Sequence, residues 1–584
     1  MAVKSFEVSD PVISSLKGFA LANPSITLVE GEKVLFRETS SDKVAIISGG
    51  GTGHEPSHAG FIGEGMLSGA VCGDIFASPS TKQILNAIRL IDAKSNGVLL
   101  LVKNYTGDVL HFGLSAERAR ALGIDCHVVV IGDDVAVGRA KGGMVGRRAL
   151  AGTVLVHKIT GAFAEHYSVK YGLKGTAKAA QIVIDNLVTI GSSLDHCKVP
   201  GRKFESSLTA EQMEVGMGIH NEPGVNVLEP IPTTEELISK HMLPKLLDPN
   251  DKDRAFVDFD KEDEVVLLVN NLGGVSNFII SAIAEKTTTF LNEEYGIKPK
   301  KVMTGTLMTA FNGNGFSITL LNATKASKEL SANFPEIKSV FELLNAYTDA
   351  PGWSAGFFEA KKAPAIDHSI LHTEVKVTEV GNYDFENFSR WMKAGAEQVI
   401  KAEPHITQLD TQVGDGDCGY TLVAGVNGII GGLDQLSKTS LSEAMAQVSD
   451  IIEDSMGGTS GGLYSILISG FSHGLIKTCT EKNEPVTADV IAKAFSFALE
   501  TLYKYTKARV GSSTMIDALE PFVQEFSKSN DFKKAVAAAE AGAKSTATFE
   551  AKFGRASYVG DSSSVEDPGA AGLVEFLKGV ESAL

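Results

Sequence analysis

Val44-Ala45-Ile46-Ile47-Ser48-Gly49-Gly50-Gly51-Thr52-Gly53-His54-Glu55-Pro56 begins as an apolar, β-branched run and ends with four glycines in five residues. The run predicts a buried strand. The glycines predict a loop whose backbone N–H groups approach a ligand closely where a helix begins. No Lys follows the last glycine, so this is not a Walker A loop, and it is a poor dinucleotide fingerprint. A tight strand-to-helix turn is the plain alternative, but that many glycines exceed what a turn needs.

Outward from this stretch, Val98–Val102 and His127–Ile131 repeat the pattern of a buried parallel strand, turn and helix. The stretch Asp248–Glu264 is acidic and loop-like. Val265–Val269 then precedes a second glycine turn, Asn270-Asn271-Leu272-Gly273-Gly274, and further strands are expected at Lys301–Thr306 and Ser317–Asn322. Residues 1–355 therefore read as an α/β domain with subdomains at about 1–190 and 191–355. Residues 356–382, with Pro364 and scattered charges, read as a linker. Past it the strand patterns stop. Phe385, Phe388, Met392, Ala396 and Val399 follow helical spacing. Similar stripes recur to the end, so 383–584 reads as an all-helical bundle or barrel.

The chain has 584 residues, enough for several domains, and is 43% apolar, ordinary for a globular protein. Its net charge of −17 lacks the basic footprint of a nucleic-acid binder. An anionic substrate must be held by local donors or a metal against that field. The cysteines (72, 126, 197, 418 and 479) are odd in number and scattered, which suits reduced thiols in the cytoplasm. No signal-peptide pattern or membrane-length apolar run is found, so no membrane partner is expected.

Five further features carry chemistry. His54-Glu55-Pro56-Ser57-His58 matches the HExxH zinc pattern, but Pro56 and the preceding glycines oppose the continuous helix that zinc chemistry needs. His54 instead suits a general base at the end of the glycine loop. Lys103-Asn104-Tyr105-Thr106-Gly107-Asp108 offers a cation and a carboxylate at a strand end; a solvated turn is the default. Gly216-Met217-Gly218-Ile219-His220-Asn221-Glu222-Pro223-Gly224 places a histidine where a helix is unsuited, and a neutral imidazole is a nucleophile or base. A structural turn is the alternative. Asp410 to Gly419 (DTQVGDGDCG) holds three carboxylates that suit a hard cation, and Val426 at the twelfth position from Asp415 excludes an EF-hand. Met456-Gly457-Gly458-Thr459-Ser460-Gly461-Gly462 opens a helix with bare N–H groups and hydroxyls, an anion cradle, or else a plain inter-helix loop.

Together these motifs, with VGSSTMIDAL and GRASYVGDSSSVEDPGA late in the chain, resemble the dihydroxyacetone kinase family over nearly the whole length. The fusion of both halves resembles its ATP-using type. The resemblance implies an N-terminal substrate domain and a C-terminal nucleotide domain. It implies that His220 bonds covalently to the substrate carbonyl as a hemiaminal, and that His54 and Asp108 handle the proton of the reacting hydroxyl. Gly50, Gly51, Thr52, Gly53, Lys103 and Ser78 would line the substrate pocket. Asp410, Asp415 and Asp417 would hold Mg²⁺. ATP would lie against Gly419, Thr421, Leu422, Gly457, Gly458, Thr459, Ser460, Thr514, Met515, Arg555, Asp567, Pro568 and Gly569. The family further implies a cytoplasmic homodimer.

Glyceraldehyde shares the reactive carbonyl and is expected as a secondary substrate. Two other readings stand beside the kinase. One is FAD cyclisation at the helical half. The other is a non-catalytic dihydroxyacetone sensor with a regulatory partner, which would have no need of the metal carboxylates.

Overall fold

The computed structural model describes residues 6–92, 96–142, 145–200, 208–359, 363–368, 377–549 and 564–584. The chain divides into two compact units, Met1–Pro364 and Ala365–Leu584.

The first unit is built on two six-stranded sheets. One contains β1 (Thr27–Val29), β2 (Val34–Phe36), β3 (Ala45–Thr52), β4 (Gly69–Ile75), β5 (Val98–Lys103) and β6 (Cys126–Ile131), in the order β1-β2-β4-β3-β5-β6. Strands β4, β3, β5 and β6 run parallel. Successive residues of β3 and β5 face opposite sides, and both sides are covered. Ala45, Ile47, Leu100 and Val102 pack with Ile88 and Phe112. Ile46, Leu99 and Leu101 pack towards the long helix Gly152–Asp185. That double cover is why these strands read as continuous apolar runs.

The second sheet contains β7 (Leu187–Ser193), β8 (Met213–Val215), β9 (Asn226–Leu228), β10 (Val265–Asn271), β11 (Lys301–Gly305) and β12 (Gly315–Asn322), in the order β11-β10-β12-β7-β8-β9. Only β10 and β11 pair in parallel, so this sheet is mixed. The helix Gly152–Asp185 lies in one apolar core with residues of both sheets, Ile46 and Leu101 from the first and Val266, Leu268 and Leu321 from the second.

The glycine run differs from the sequence expectation. Gly49 to Thr52 belong to β3 itself, and turns with a short 3-10 segment, Ala59–Phe61, follow in place of an α-helix. The cause is close packing. A Cβ on Gly49 would sit 2.2 Å from the Val71 carbonyl oxygen, and one on Gly51 2.6 Å from the Ala77 nitrogen. The glycines let neighbouring backbone press against the strand end, and no helix terminus is available there to bind oxygen-rich groups.

The second unit has eight α-helices among its described residues: Phe385–Val413, Cys418–Gly432, Leu441–Ser455, Gly458–Thr478, Ala488–Leu502, Ile516–Ser529, Phe532–Ser545 and Pro568–Ala583. Their apolar stripes converge on one core. The first and last helices touch through small residues: a Cβ on Gly579 would lie 2.3 Å from the Ala394 carbonyl oxygen. Val380 is buried in this core, and Asn382 bridges to Pro485, so the end of the expected linker packs with the helices. Among the described residues no helix is long and apolar enough to cross a membrane.

Candidate active site

The carboxyl ends of β3 and β5, the start of the helix Thr106–Ala121 and the loop between β8 and β9 bring the α/β unit's candidate residues together. His54 is buried just past β3. Its Nδ1 donates to the Thr309 carbonyl at 2.7 Å, and its Nε2 lies 3.0 Å from Nε2 of His220. His220 donates from Nδ1 to Glu222 Oε1 at 3.0 Å, and its backbone N–H donates to Oε2 at 2.9 Å. Phe76 stacks on His54 at 5.1 Å, and Tyr105 meets the His220 ring edge-on at 4.5 Å.

The two imidazoles constrain each other's protonation. A carbonyl and a carboxylate can only accept, so each Nδ1 carries its proton. Two neutral rings would then point lone pairs at each other across 3.0 Å. One shared proton converts that repulsion into a hydrogen bond. Burial, then the charges of Lys103 and His220, push His54 well below the usual imidazole range, against its bond to Thr309. Burial alone would raise the Glu222 carboxyl, but its hydrogen bonds and attraction to His220 prevail and bring it down to about 2.

Lys103 is the last residue of β5, and Asp108 lies in the first turn of the following helix. Both are buried, yet among the described residues Lys103 Nζ and Asp108 Oδ1 have no hydrogen-bond partner. Buried polar atoms are rarely left so. Burial pulls the Lys103 ammonium below its usual range, against Asp108, Glu222 and Glu55. Gly50 opens the space beside them, since a Cβ there would lie 3.3 Å from Asp108 Oδ2 and 3.4 Å from Lys103 Cε. Ser78 sits against Gly107, its Oγ 2.7 Å from where a Cβ would stand. Thr52 is buried, with Oγ1 donating to the Gly73 carbonyl at 3.3 Å, and the Gly53 carbonyl accepts from Phe311 N–H at 2.7 Å. A cation, a carboxylate and two imidazole nitrogens thus converge where a small polyhydroxy carbonyl compound could satisfy them.

In the helical unit, the carboxylates of Asp410, Asp415 and Asp417 bring oxygens within 4.8 Å of one another. Asp410 is buried and accepts from the backbone N–H groups of Asp417 and Cys418, at 2.8 and 2.9 Å. It folds the loop around itself. Gly414 is bare because a Cβ would strike Asp410 Oδ1 at 2.1 Å. An all-oxygen donor set of this kind fits Mg²⁺.

Gly419 and Thr421 begin the next helix, while Leu422 turns inward, its side chain 2.3 Å from a Cβ placed on Gly572. Gly457 caps the helix that Gly458, Thr459 and Ser460 open. Among the described residues no atom lies within 4 Å of a Cβ on either glycine, so this turn has open space beside it. Asp517 accepts from Gly511 and Thr514 N–H and shapes the loop ahead of Met515. Asp567 caps the helix begun by Pro568 and Gly569, and Met515 Cβ lies 3.7 Å from a Cβ on Gly569. Arg555 lies outside the described residues.

The histidines of HEPSH diverge. His58 faces Ser48 Oγ at 3.3 Å and the His157 ring at 5.2 Å, whereas His54 faces His220. Among the described residues the acidic loop alone gathers three or more metal-ligating side chains. Sequence reading missed Phe76, Tyr105, Thr309 and Arg148. Thr309 lies 255 positions from His54 and carries no local signal.

The Dak1 domain model matches residues 17–339, and the DAK2 domain model residues 412–582. The chain is 76% identical to dihydroxyacetone kinase 1 of Saccharomyces cerevisiae across the full length of both. It is 35% identical to human triokinase/FMN cyclase, over 98% of this chain and 97% of that one. The crystal structure of the dihydroxyacetone kinase from C. freundii in complex with AMP-PNP and Mg²⁺ is similar over 100% of both chains, with a TM-score of 0.64 and 29% identity.

Proposed function

The chain belongs to the dihydroxyacetone kinase family and phosphorylates dihydroxyacetone; on that premise we propose that the ketone is held covalently on His220, as a hemiaminal. The observation that carries this reading is the facing Nε2 pair at 3.0 Å, with both Nδ1 atoms already committed. His220 Nε2 gives the shared proton to His54 and adds its lone pair to the carbonyl carbon. The carbonyl π electrons move to oxygen, which takes the proton from His54. One proton is present before and after, and the positive charge ends on the alkylated His220 ring beside Glu222. A tiny ketone gains an anchor that hydrogen bonds alone supply poorly. Glycerol has no carbonyl and is refused.

A terminal hydroxyl of the anchored substrate then reaches Lys103 and Asp108, whose buried atoms lack partners among the described residues. Asp108 accepts the hydroxyl proton as its oxygen attacks the γ-phosphorus of ATP and ADP leaves. Lys103 neutralises charge gathering on the transferred group. His54 thus serves the carbonyl end and Asp108 the reacting end. Asp410, Asp415 and Asp417 would hold Mg²⁺, which supplies charge neutralisation to the nucleotide phosphates. Glyceraldehyde fits the same chemistry as a second substrate. Resemblance to an enzyme named triokinase/FMN cyclase supports FAD cyclisation as a further activity, testable by incubating the protein with FAD and Mg²⁺ without ketone.

Dihydroxyacetone labelled with ¹³C at the carbonyl tests the covalent reading. On binding, the ketone resonance should be replaced by that of a tetrahedral carbon. A ketone signal persisting in fully bound substrate would refute it.

A further inference from the structure

His220 stands on an irregular segment between two three-residue strands, yet addition to a carbonyl needs its Nε2 aimed closely. Its neighbour Asn221 (φ 64) clamps Cys197, accepting from its N–H and donating to its carbonyl, each at 2.9 Å. The other hold comes from Arg148. Its Nε donates to Asp134 Oδ2 at 2.8 Å, and its Nη2 reaches Asp134 Oδ2 and the Gly216 carbonyl, each at 2.7 Å. Its Nη1 points at Gly218. A Cβ on that glycine would lie 2.8 Å from Arg148 Nη1 and 2.1 Å from Glu222 Oε2. Gly218 is the gap across which the guanidinium and the carboxylate face each other.

The anchor is rigid. Asp134 is buried and also accepts from Ala136 N–H at 2.9 Å. The Arg148 carbonyl accepts from the N–H groups of both Asp133 and Asp134 at 3.0 Å. Asp134 bridges to Thr189 of β7, so the fork is fixed to the second sheet. Charges alternate from Asp134 to Arg148 to Glu222, whose attraction to the guanidinium acts across the Gly218 gap, and Glu222 in turn accepts from His220 Nδ1. Asp134 offsets the guanidinium, so Arg148 can orient Glu222 without loading the site with unbalanced positive charge.

We propose that Arg148, anchored by Asp134, is the positioning residue for His220: it pins the Gly216 carbonyl and holds the Glu222 carboxylate so that His220 Nδ1 stays bonded and Nε2 faces the substrate. The planar fork makes three directed contacts that a lysine cannot reproduce. This rests on His220 as the nucleophile, but the orientation of its ring can be read without substrate.

The test uses full-length protein labelled with ¹⁵N-histidine, with Arg148→Met, Arg148→Lys and Asp134→Asn. In substrate-free Arg148→Met the His220 Nδ1 resonance should lose its hydrogen-bonded shift. The KM for dihydroxyacetone should rise about 10- to 100-fold, the usual effect of removing a residue that orients a functional ligand, with KM for ATP unchanged. Arg148→Lys should recover only part of this, and guanidinium ion added to Arg148→Ala should lower the raised KM. Unchanged His220 resonances and unchanged KM in folded Arg148→Met overturn the proposal. If Arg148→Met does not fold, Asp134→Asn is read by the same resonances, and no change there overturns it equally. Wild-type protein lacking the ¹³C tetrahedral signal would remove the covalent reading, while the ¹⁵N shifts still decide the role of Arg148.

Discussion

Replacing Glu222 with Gln tests the charge that His220 acquires. The carboxyl falls from the usual 4.5 to about 2, against its own desolvation, because of the bonds and charge of His220. At 1.36 kcal/mol per pH unit that drop corresponds to about 3 kcal/mol of coupling. The carboxylate side chain is 32% exposed, so solvent screening halves this to about 1–2 kcal/mol. Gln keeps an acceptor for Nδ1 but removes the charge facing the adduct's imidazolium. The adduct should therefore weaken about 5- to 30-fold, seen as a smaller tetrahedral ¹³C signal and a raised KM for dihydroxyacetone. At saturating ketone, kcat should fall much less, because Lys103 and Asp108 act on the far hydroxyl. An unchanged adduct population in Glu222→Gln would show that the ring needs no counter-charge, and the proton count given above would be wrong.

His54→Ala should abolish most of the adduct and slow turnover roughly 10²- to 10⁴-fold; single-turnover kinetics with labelled ketone should show both losses together. Asp415→Asn should remove Mg²⁺-dependent transfer yet leave the ¹³C adduct intact, and near-normal turnover would exclude this loop from the reaction. Burial of His157 lowers it to about 3, so below pH 6.5 the unfolded chain binds a proton that the folded chain refuses. Stability should therefore fall by about 1.4 kcal/mol per pH unit as pH drops from 6.5 towards 3, and His157→Gln should flatten that slope in urea unfolding at pH 7 and 5.5.

What was legible in the sequence was what is local. Runs such as Val98–Val102 are covered on both faces, so their apolar character is continuous and marks strands without knowledge of neighbours. The three aspartates of the metal loop fall within eight residues and fold around Asp410. Glu222 stands two residues from the ring it orients. Contacts made by topology were hidden: His54 and His220 are 166 positions apart. The glycine run misled because glycine serves both ligand loops and close backbone packing, and only the position of Val71 and Ala77 decides between them. Arg148 carries no local signal, because its role depends on Asp134 and Gly216, 14 and 68 positions away.

The nucleotide side shows why local donors have to work against the whole molecule. Asp410, Asp415 and Asp417 share one loop, and Asp567 feels both Asp517 and Asp410. Burial first, then those negative neighbours, raise the Asp567 carboxyl to about 7. A triphosphate approaching this end meets several negative charges on a chain whose net charge is −17. Gly457 and Gly458 stand at a helix start, which attracts anions, but a helix terminus contributes only about 0.3–1 kcal/mol at an exposed site. Unit charges 4 Å apart at a protein surface repel by about 4 kcal/mol. The amides alone therefore lose to the carboxylates, and nucleotide affinity without a divalent cation should be low. The acidity that repels the free nucleotide is what selects its cation-bound form, and the glycine cradle then only has to orient phosphates whose charge has already been offset.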